Sequence, residues 1–389
     1  MKILLLGLGL QGKAVIHDLE QSPLVKEIIA VDLNTEGAQK YIQGKNYRKT
    51  RIVSLNVSDG NALHQLIQKS EVEIVVCMLP TDLVYSVVQV AINCNKPFVS
   101  SNYTGRIEEL NSLAEEKGVT VLPEMGLDPG IDLILGRLAI EEFEEVHGLY
   151  SYGGGLPEPS CKDDNPLHYK ISWTFDGVLK SAKRPAKLLH NGQQKEISEK
   201  SIFKTENIHT LEFPNIGQLE AYPNGDAVRY IDIFNLKNGL KEMARFALRW
   251  PGTCRLFQTL AELRFLENDP LVINGCKISP RQFLIQHLTP QLQFKDSERD
   301  MVILQVQAWG IKNGQKRSVT YRLIDYRDLK SGLFAMNRTV GFTCSIAAQM
   351  ILSKTITKTG VLSPIRDVEA QIVVDELKKR DMSIEYYEV

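Results

Sequence analysis

Lys2-Ile3-Leu4-Leu5-Leu6-Gly7-Leu8-Gly9-Leu10-Gln11-Gly12 begins with an apolar run, continues through three glycines spaced G-x-G-x-x-G, and leads into Lys13 to Leu19, a stretch of helical length. The order strand, glycine turn, helix has a physical reason. Gly7 permits the tight turn, Gly9 leaves room for a pyrophosphate to reach backbone N–H groups, and Gly12 lets the helix pack close to the strand. Asp32 lies 20 residues beyond Gly12, at the end of the next apolar run, where a carboxylate accepts from the hydroxyls of an adenosine ribose. A 2′-phosphate would meet like charge there, so NAD is favoured, and an arginine nearby would admit NADP.

Apolar runs recur at Arg51 to Leu55, Glu73 to Met78, Phe98 to Ser100 and Val119 to Leu122, alternating with polar stretches of helical length. This pattern predicts βαβ units and a doubly wound parallel sheet of the Rossmann kind over residues 1–125. Ligands of such sheets bind beyond the carboxyl ends of the strands. There Asn56 and Val57 are candidates to flank the adenine, and Leu79 and Pro80 to pass beneath the nicotinamide ribose, beside Gly7, Gly9, Leu10, Gln11, Gly12 and Asp32.

From about Gly148 the pattern changes, with Gly and Pro clustered at Gly153 to Pro159 and strand-like runs at Tyr169 to Trp173 and Met301 to Ala308. An α+β substrate domain is expected over residues 126–335. Residues 336–389 are expected to return to the first domain as a helical segment, with Thr339 to Gly341 leading into a helix from Phe342 to Ser353.

The 389 residues carry 46 Lys plus Arg against 47 Asp plus Glu, a balance that disfavours nucleic acid and anionic membranes as partners. Six cysteines without metal-ligand spacing point to neither a disulfide framework nor a metal site. No apolar run of about 18 residues and no leader-like start is seen, so a cytoplasmic protein is expected. The expected partner is a small molecule, and a homodimer is left open.

Gly126-Leu127-Asp128-Pro129-Gly130-Ile131-Asp132 follows the sixth strand, at the topological address of a nicotinamide ring. Asp128 there is either a helix cap followed by Pro or a cap that also handles protons. Tyr103, just beyond the fifth strand, shares that address, as a packing residue or a hydroxyl donor.

These runs, with Ser151-Tyr152-Gly153-Gly154-Gly155-Leu156-Pro157, Asp164 to Trp173, Glu220-Ala221-Tyr222-Pro223-Asn224, Arg249-Trp250-Pro251-Gly252 and Arg338-Thr339-Val340-Gly341, resemble the saccharopine dehydrogenase family, particularly its glutamate-forming members. The resemblance spans nearly the whole chain. It implies NAD(P)-dependent oxidation of a C–N bond in a lysine-derived amine, releasing glutamate and 2-aminoadipate 6-semialdehyde from saccharopine. It also implies a functional aspartate at Asp128 and a tyrosine at Tyr103. Tyr169, Lys170, Ser172, Asn224 and Arg249 are the candidates to hold substrate, Arg249 through a bidentate fork. Two positions depart from the pattern: Gly153 stands where relatives have Cys, and Gly225 where they have Arg. Lysine 6-dehydrogenase, whose substrate has one carboxylate, and a non-catalytic NAD-binding protein are therefore alternatives.

Overall fold

The computed structural model describes every residue except Lys237. The chain runs β1 (Lys2–Leu6), α1 (Leu10–Gln21), β2 (Glu27–Asp32), α2 (Glu36–Gln43), β3 (Thr50–Ser54), α3 (Gly60–Ser70), β4 (Ile74–Cys77), α4 (Thr81–Asn93), β5 (Phe98–Ser100), α5 (Asn111–Glu116), β6 (Thr120–Leu122) and α6 (Ile131–Glu141). It continues through β7 (Glu145–Pro157), α7 (Phe175–Ser181), β8 (Ala186–His190), β9 (Gln193–Ile197), β10 (His209–Phe213), β11 (Gly217–Pro223), β12 (Glu242–Arg249), α8 (Thr253–Glu262), β13 (Leu271–Ile273), β14 (Cys276–Ile278), α9 (Pro280–Leu288), β15 (Asp300–Lys312) and β16 (Gln315–Tyr326). The last elements are α10 (Ala335–Leu352), β17 (Gly360–Val361), α11 (Pro364–Asp367), α12 (Ala370–Lys378) and β18 (Ile384–Glu388).

Two compact units result, one of residues 1–134 with 337–381, the other of residues 135–336 with 382–389. In the first, seven parallel strands lie in the order β17-β6-β5-β4-β1-β2-β3. Strands β1 and β4 are apolar almost throughout because helices cover both faces of such a sheet. Leu4, Leu6, Ile29, Val75, Val87 and Phe98 are among the buried side chains of its core. The returning segment is tied down by Asp18 of α1, whose carboxylate takes Arg380 Nε (2.6 Å) and Nη2 (3.0 Å), Ser345 Oγ (2.6 Å) and Gln349 Nε2 (3.1 Å). Strand β17, only two residues long, gives no apolar run and was not among the six expected strands.

The second unit is built on a nine-stranded mixed sheet with the path β10-β11-β12-β7-β15-β16-β18, β8 and β9 joining beside β12. Strand β7 pairs parallel with β12 and antiparallel with β15 over most of its length. Tyr169 to Trp173 is not a strand but irregular backbone. Lys170 and Ser172 are as buried as Tyr169, so the polar residues of that alternation do not face solvent. Helix α10 starts at Ala335, four residues before Thr339, because Asp300 at the head of β15 accepts from the Ala335 (2.7 Å) and Met336 (3.1 Å) amides. The last strand, β18, pairs with β16 rather than extending the helical segment. Among the described residues no helix is long and apolar enough to cross a membrane, and no cluster of His, Cys, Asp or Glu is arranged to hold a metal ion.

Candidate active site

In the first unit the glycine turn joins β1 to α1. A Cβ on Gly12 would stand 2.0 Å from the Gly7 carbonyl oxygen, so the helix enters against the turn only with glycine there. Gly9 is exposed with nothing within 4 Å of where its Cβ would lie, which leaves the start of α1 open to an anion. Leu10 and Gln11 form the first turn of that helix, and the Gln11 Nε2 is buried without a hydrogen-bond partner among the described residues. Ser100 Oγ, at the carboxyl end of β5, is likewise buried and unpartnered. Open backbone and orphaned polar atoms at these strand ends fit a bound dinucleotide.

Asp32 ends β2 and braces the turn: Oδ2 accepts from Leu8 N–H at 2.7 Å and Oδ1 from Asn34 N–H at 3.0 Å. Each oxygen keeps a lone pair for a ribose hydroxyl. The Lys13 ammonium lies over the Tyr41 ring, 5.8 Å from its centre, and burial lowers its pKa. Asn56 is exposed and its side chain accepts from Ser58 N–H, while Val57 is buried in the sheet's core. Asp59 caps α3. Leu79 is half-buried, its carbonyl taking the Asn102 amide at 3.3 Å, and Pro80 is the N-cap of α4.

Beyond β6 the chain closes a loop on itself. Gly126 N–H donates to Pro129 O (3.0 Å) and Ile131 N–H to Gly126 O (3.0 Å). Gly130 has φ +145, and a Cβ there would overlap the Gly126 carbonyl at 2.1 Å. Asp128 sits half-buried in this loop, ahead of a cis peptide bond to Pro129, and Tyr103 is half-buried in the loop after β5. Two further acids are fully buried here, Glu124 at 1% exposure and Asp132 at 3%. Glu124 Oε1 accepts from Thr104 N–H (3.1 Å), and Asp132 Oδ1 from Gly130 N–H (2.8 Å). Burial pushes the Asp132 carboxyl up to about 8, the Gly130 amide opposing and the Glu124 charge adding to the rise. Sequence reading quoted Asp132 within its motif without a role and passed over Glu124; the signal was two acids flanking a glycine loop.

In the second unit Tyr169 and Ser172 lie beside Asp300, and Arg249 lies beside Tyr169. Arg249 ends β12 at 8% exposure, its Nη1 donating to Leu248 O (2.7 Å) and its guanidinium 5.7 Å from the centre of the Tyr222 ring. Its Nε has no partner among the described residues. Burial raises the Tyr169 hydroxyl, which also feels the charges of Arg249 and Asp300. Burial lifts Asp300 to about 6 against the pull of the Met336 and Ala335 amides, and Ser172 hydrogen bonds to it. Asn224 follows β11, its N–H donating to Arg245 O (2.8 Å). Lys170 is drawn away from this group: its ammonium, in a side chain 3% exposed, lies 2.6 Å from both Asp164 and Glu298. Burial would lower Lys170, yet the hydrogen bonds to those carboxylates hold it above its usual value.

The glycine turn, the closed Asp128 loop and the buried Arg249 can be set beside known proteins. The family model described as Saccharopine dehydrogenase NADP binding domain matches residues 3–122, and that described as Saccharopine dehydrogenase C-terminal domain matches residues 126–382. The saccharopine dehydrogenase (NADP(+), L-glutamate-forming) of Saccharomyces cerevisiae is 27% identical over 443 aligned residues, with 97% of each chain covered. The mitochondrial alpha-aminoadipic semialdehyde synthase of Mus musculus is 27% identical over 427, covering 93% of this chain and 45% of that protein. The solved structure of apo saccharopine dehydrogenase (L-Glu forming) from Saccharomyces cerevisiae superposes with a TM-score of 0.87 at 25% identity, over 100% of this chain and 99% of that one. Matched in both units by models of one family, this chain belongs to the saccharopine dehydrogenase family.

Proposed function

We propose that the chain oxidises the secondary amine of saccharopine: saccharopine, NAD(P)+ and water give glutamate, 2-aminoadipate 6-semialdehyde, NAD(P)H and a proton. The observation that carries this reading is Asp128, half-buried in a closed loop just past β6, at the carboxyl edge of the parallel sheet. The names of the relatives above support the substrate.

When bound, the nicotinamide takes up the hydride. A secondary amine is mostly protonated at neutral pH, so a base must first remove an N–H proton; Asp128 is assigned that task. Water adds to the resulting imine, and the protonated Asp128 then returns its proton to the departing amine. Tyr103 is assigned as a hydroxyl that orients or donates at the same step. Arg249, with an unused Nε in a buried guanidinium, suits a substrate carboxylate, and Tyr169, Ser172 and Asn224 suit its hydrogen bonds. Lys170 is left out of this set because two carboxylates already hold it.

For the cofactor, Asp32 supports NAD, since its carboxylate would repel a 2′-phosphate. The relatives whose names carry NADP(+), and Lys13 beside Tyr41, support NADP as the second reading. Gly153 and Gly225, where a thiol and a cation of the family pattern are missing, favour lysine as the alternative substrate.

The test is absorbance of the reduced nicotinamide with saccharopine or lysine, each with NAD and NADP. Turnover of saccharopine supports the proposal. Turnover of lysine alone transfers the chain to the alternative, and cofactor binding without turnover of either overturns both.

A further inference from the structure

We propose that Glu124 and Asp132 are positioning residues: they tie down, one each, the two loops that present Tyr103 and Asp128. The proposal rests on the roles given to Tyr103 and Asp128 above. Glu124 grips the first loop twice, its N–H donating to Asn102 O (2.9 Å) and its Oε1 accepting from Thr104 N–H (3.1 Å), so Tyr103 lies between two anchored residues. The second loop has Asp128 near its tip. Its backbone bonds close it at Gly126, and Asp132 Oδ1 holds the Gly130 amide at 2.8 Å from inside α6. The backbone also links the two loops, because Met125 N–H donates to Ser100 O at 2.9 Å.

Both acids are too deeply buried, at 1% and 3% exposure, to touch a ligand from solvent, and a carboxyl is a costly choice for mere packing. Burial is the main cause that pushes the Asp132 carboxyl up to about 8, and the Glu124 charge is a further one. What the loops require of these side chains is a fixed acceptor oxygen, and an amide supplies one as well as a carboxyl does. A displacement of about 1 Å at a reacting group costs on the order of 100-fold in rate. The ties therefore matter to catalysis through geometry.

The experiment compares Glu124→Gln, Glu124→Ala, Asp132→Asn and Asp132→Ala for kcat, amine KM, cofactor affinity and backbone hydrogen exchange over residues 100–106 and 126–132. The amide variants are expected to keep kcat within about threefold, since they keep the acceptor. The alanine variants are expected to lose about 10- to 100-fold in kcat, with cofactor affinity unchanged and faster exchange in the loop each one untied. Alanine variants with the wild-type kcat and unchanged exchange would overturn the proposal, as would amide variants as slow as the alanines. If Asp132→Ala does not fold, Glu124→Ala and Asp132→Ser carry the same comparison. If the wild type turns over neither amine, the proposed reaction fails while hydrogen exchange still decides whether the two ties exist.

Discussion

Asp132→Asn should make the protein's stability less sensitive to alkali, by an amount that follows from the burial of one carboxyl. Folded, Asp132 keeps its proton up to about pH 8, whereas an ordinary aspartate releases it near 3.8. Between those values the folded state binds more protons than the unfolded one, so the wild type loses stability as pH rises through the window, and above it the loss is complete. At about 1.4 kcal/mol per pH unit the gap sets a ceiling near 6 kcal/mol. The three units between pH 5 and pH 8 account for about 4 kcal/mol of it. Asn keeps an acceptor for the Gly130 amide and has no charge to lose, so its stability relative to wild type should rise by that amount between pH 5 and pH 8.5. Urea unfolding followed by circular dichroism measures this. Tryptophan fluorescence does not, since Trp173, Trp250 and Trp309 all lie in the second unit. A stability difference that stays constant across this range would refute the reasoning, because Asp132 would then be ionised in the fold or exposed.

Four further outcomes are expected. Asp128→Asn, which retains much of a carboxylate's capping ability, should lower kcat by about 100-fold or more and remove one ionisation from the pH profile with cofactor binding preserved; a near-normal kcat would leave only capping. Asp32→Ser should shift preference towards NADP, and a wild type that already prefers NADP tenfold would contradict the role given to its carboxylate. Arg249→Lys should raise the amine KM without changing cofactor affinity, because the charge stays and the planar fork is lost; an unchanged KM removes Arg249 from the site. Lys170→Met should destabilise the second unit by about 1–3 kcal/mol, since it leaves the buried Glu298 carboxylate with Lys295 but without its buried ammonium partner, and an effect on KM alone would return Lys170 to the substrate.

How far the fold could be read from the sequence depended on whether each signal was local. The strands β1, β2, β4 and β5 were legible because each is a short, nearly unbroken apolar run ending at a small or polar residue, the mark of a strand covered on both faces. The glycine turn was legible because its spacing answers to a local clash, Gly12 against Gly7. Tyr169 to Trp173 misled for the converse reason. Its alternation imitates a half-exposed strand, but Lys170 is buried by Glu298, 128 residues away. The start of α10 was hidden in the same way, capped by Asp300, 35 residues back along the chain.

Within the candidate site, residue type could be read and burial could not. Asp128 and Asp132 stand four apart in one motif, and nothing in their spelling separates them. The loop between them turns back so that Gly126 meets Pro129 and Ile131, which leaves Asp128 half-exposed and carries Asp132 into the interior at 3% exposure. Water keeps a carboxylate's affinity for protons low, and its exclusion raises that affinity. One turn of backbone therefore sets two identical side chains in different surroundings, the outer one partly open to solvent and the inner one pushed up to about 8 by burial and holding the loop. Substituting each with asparagine separates the two: kcat should fall at Asp128, and the pH dependence of stability should change at Asp132.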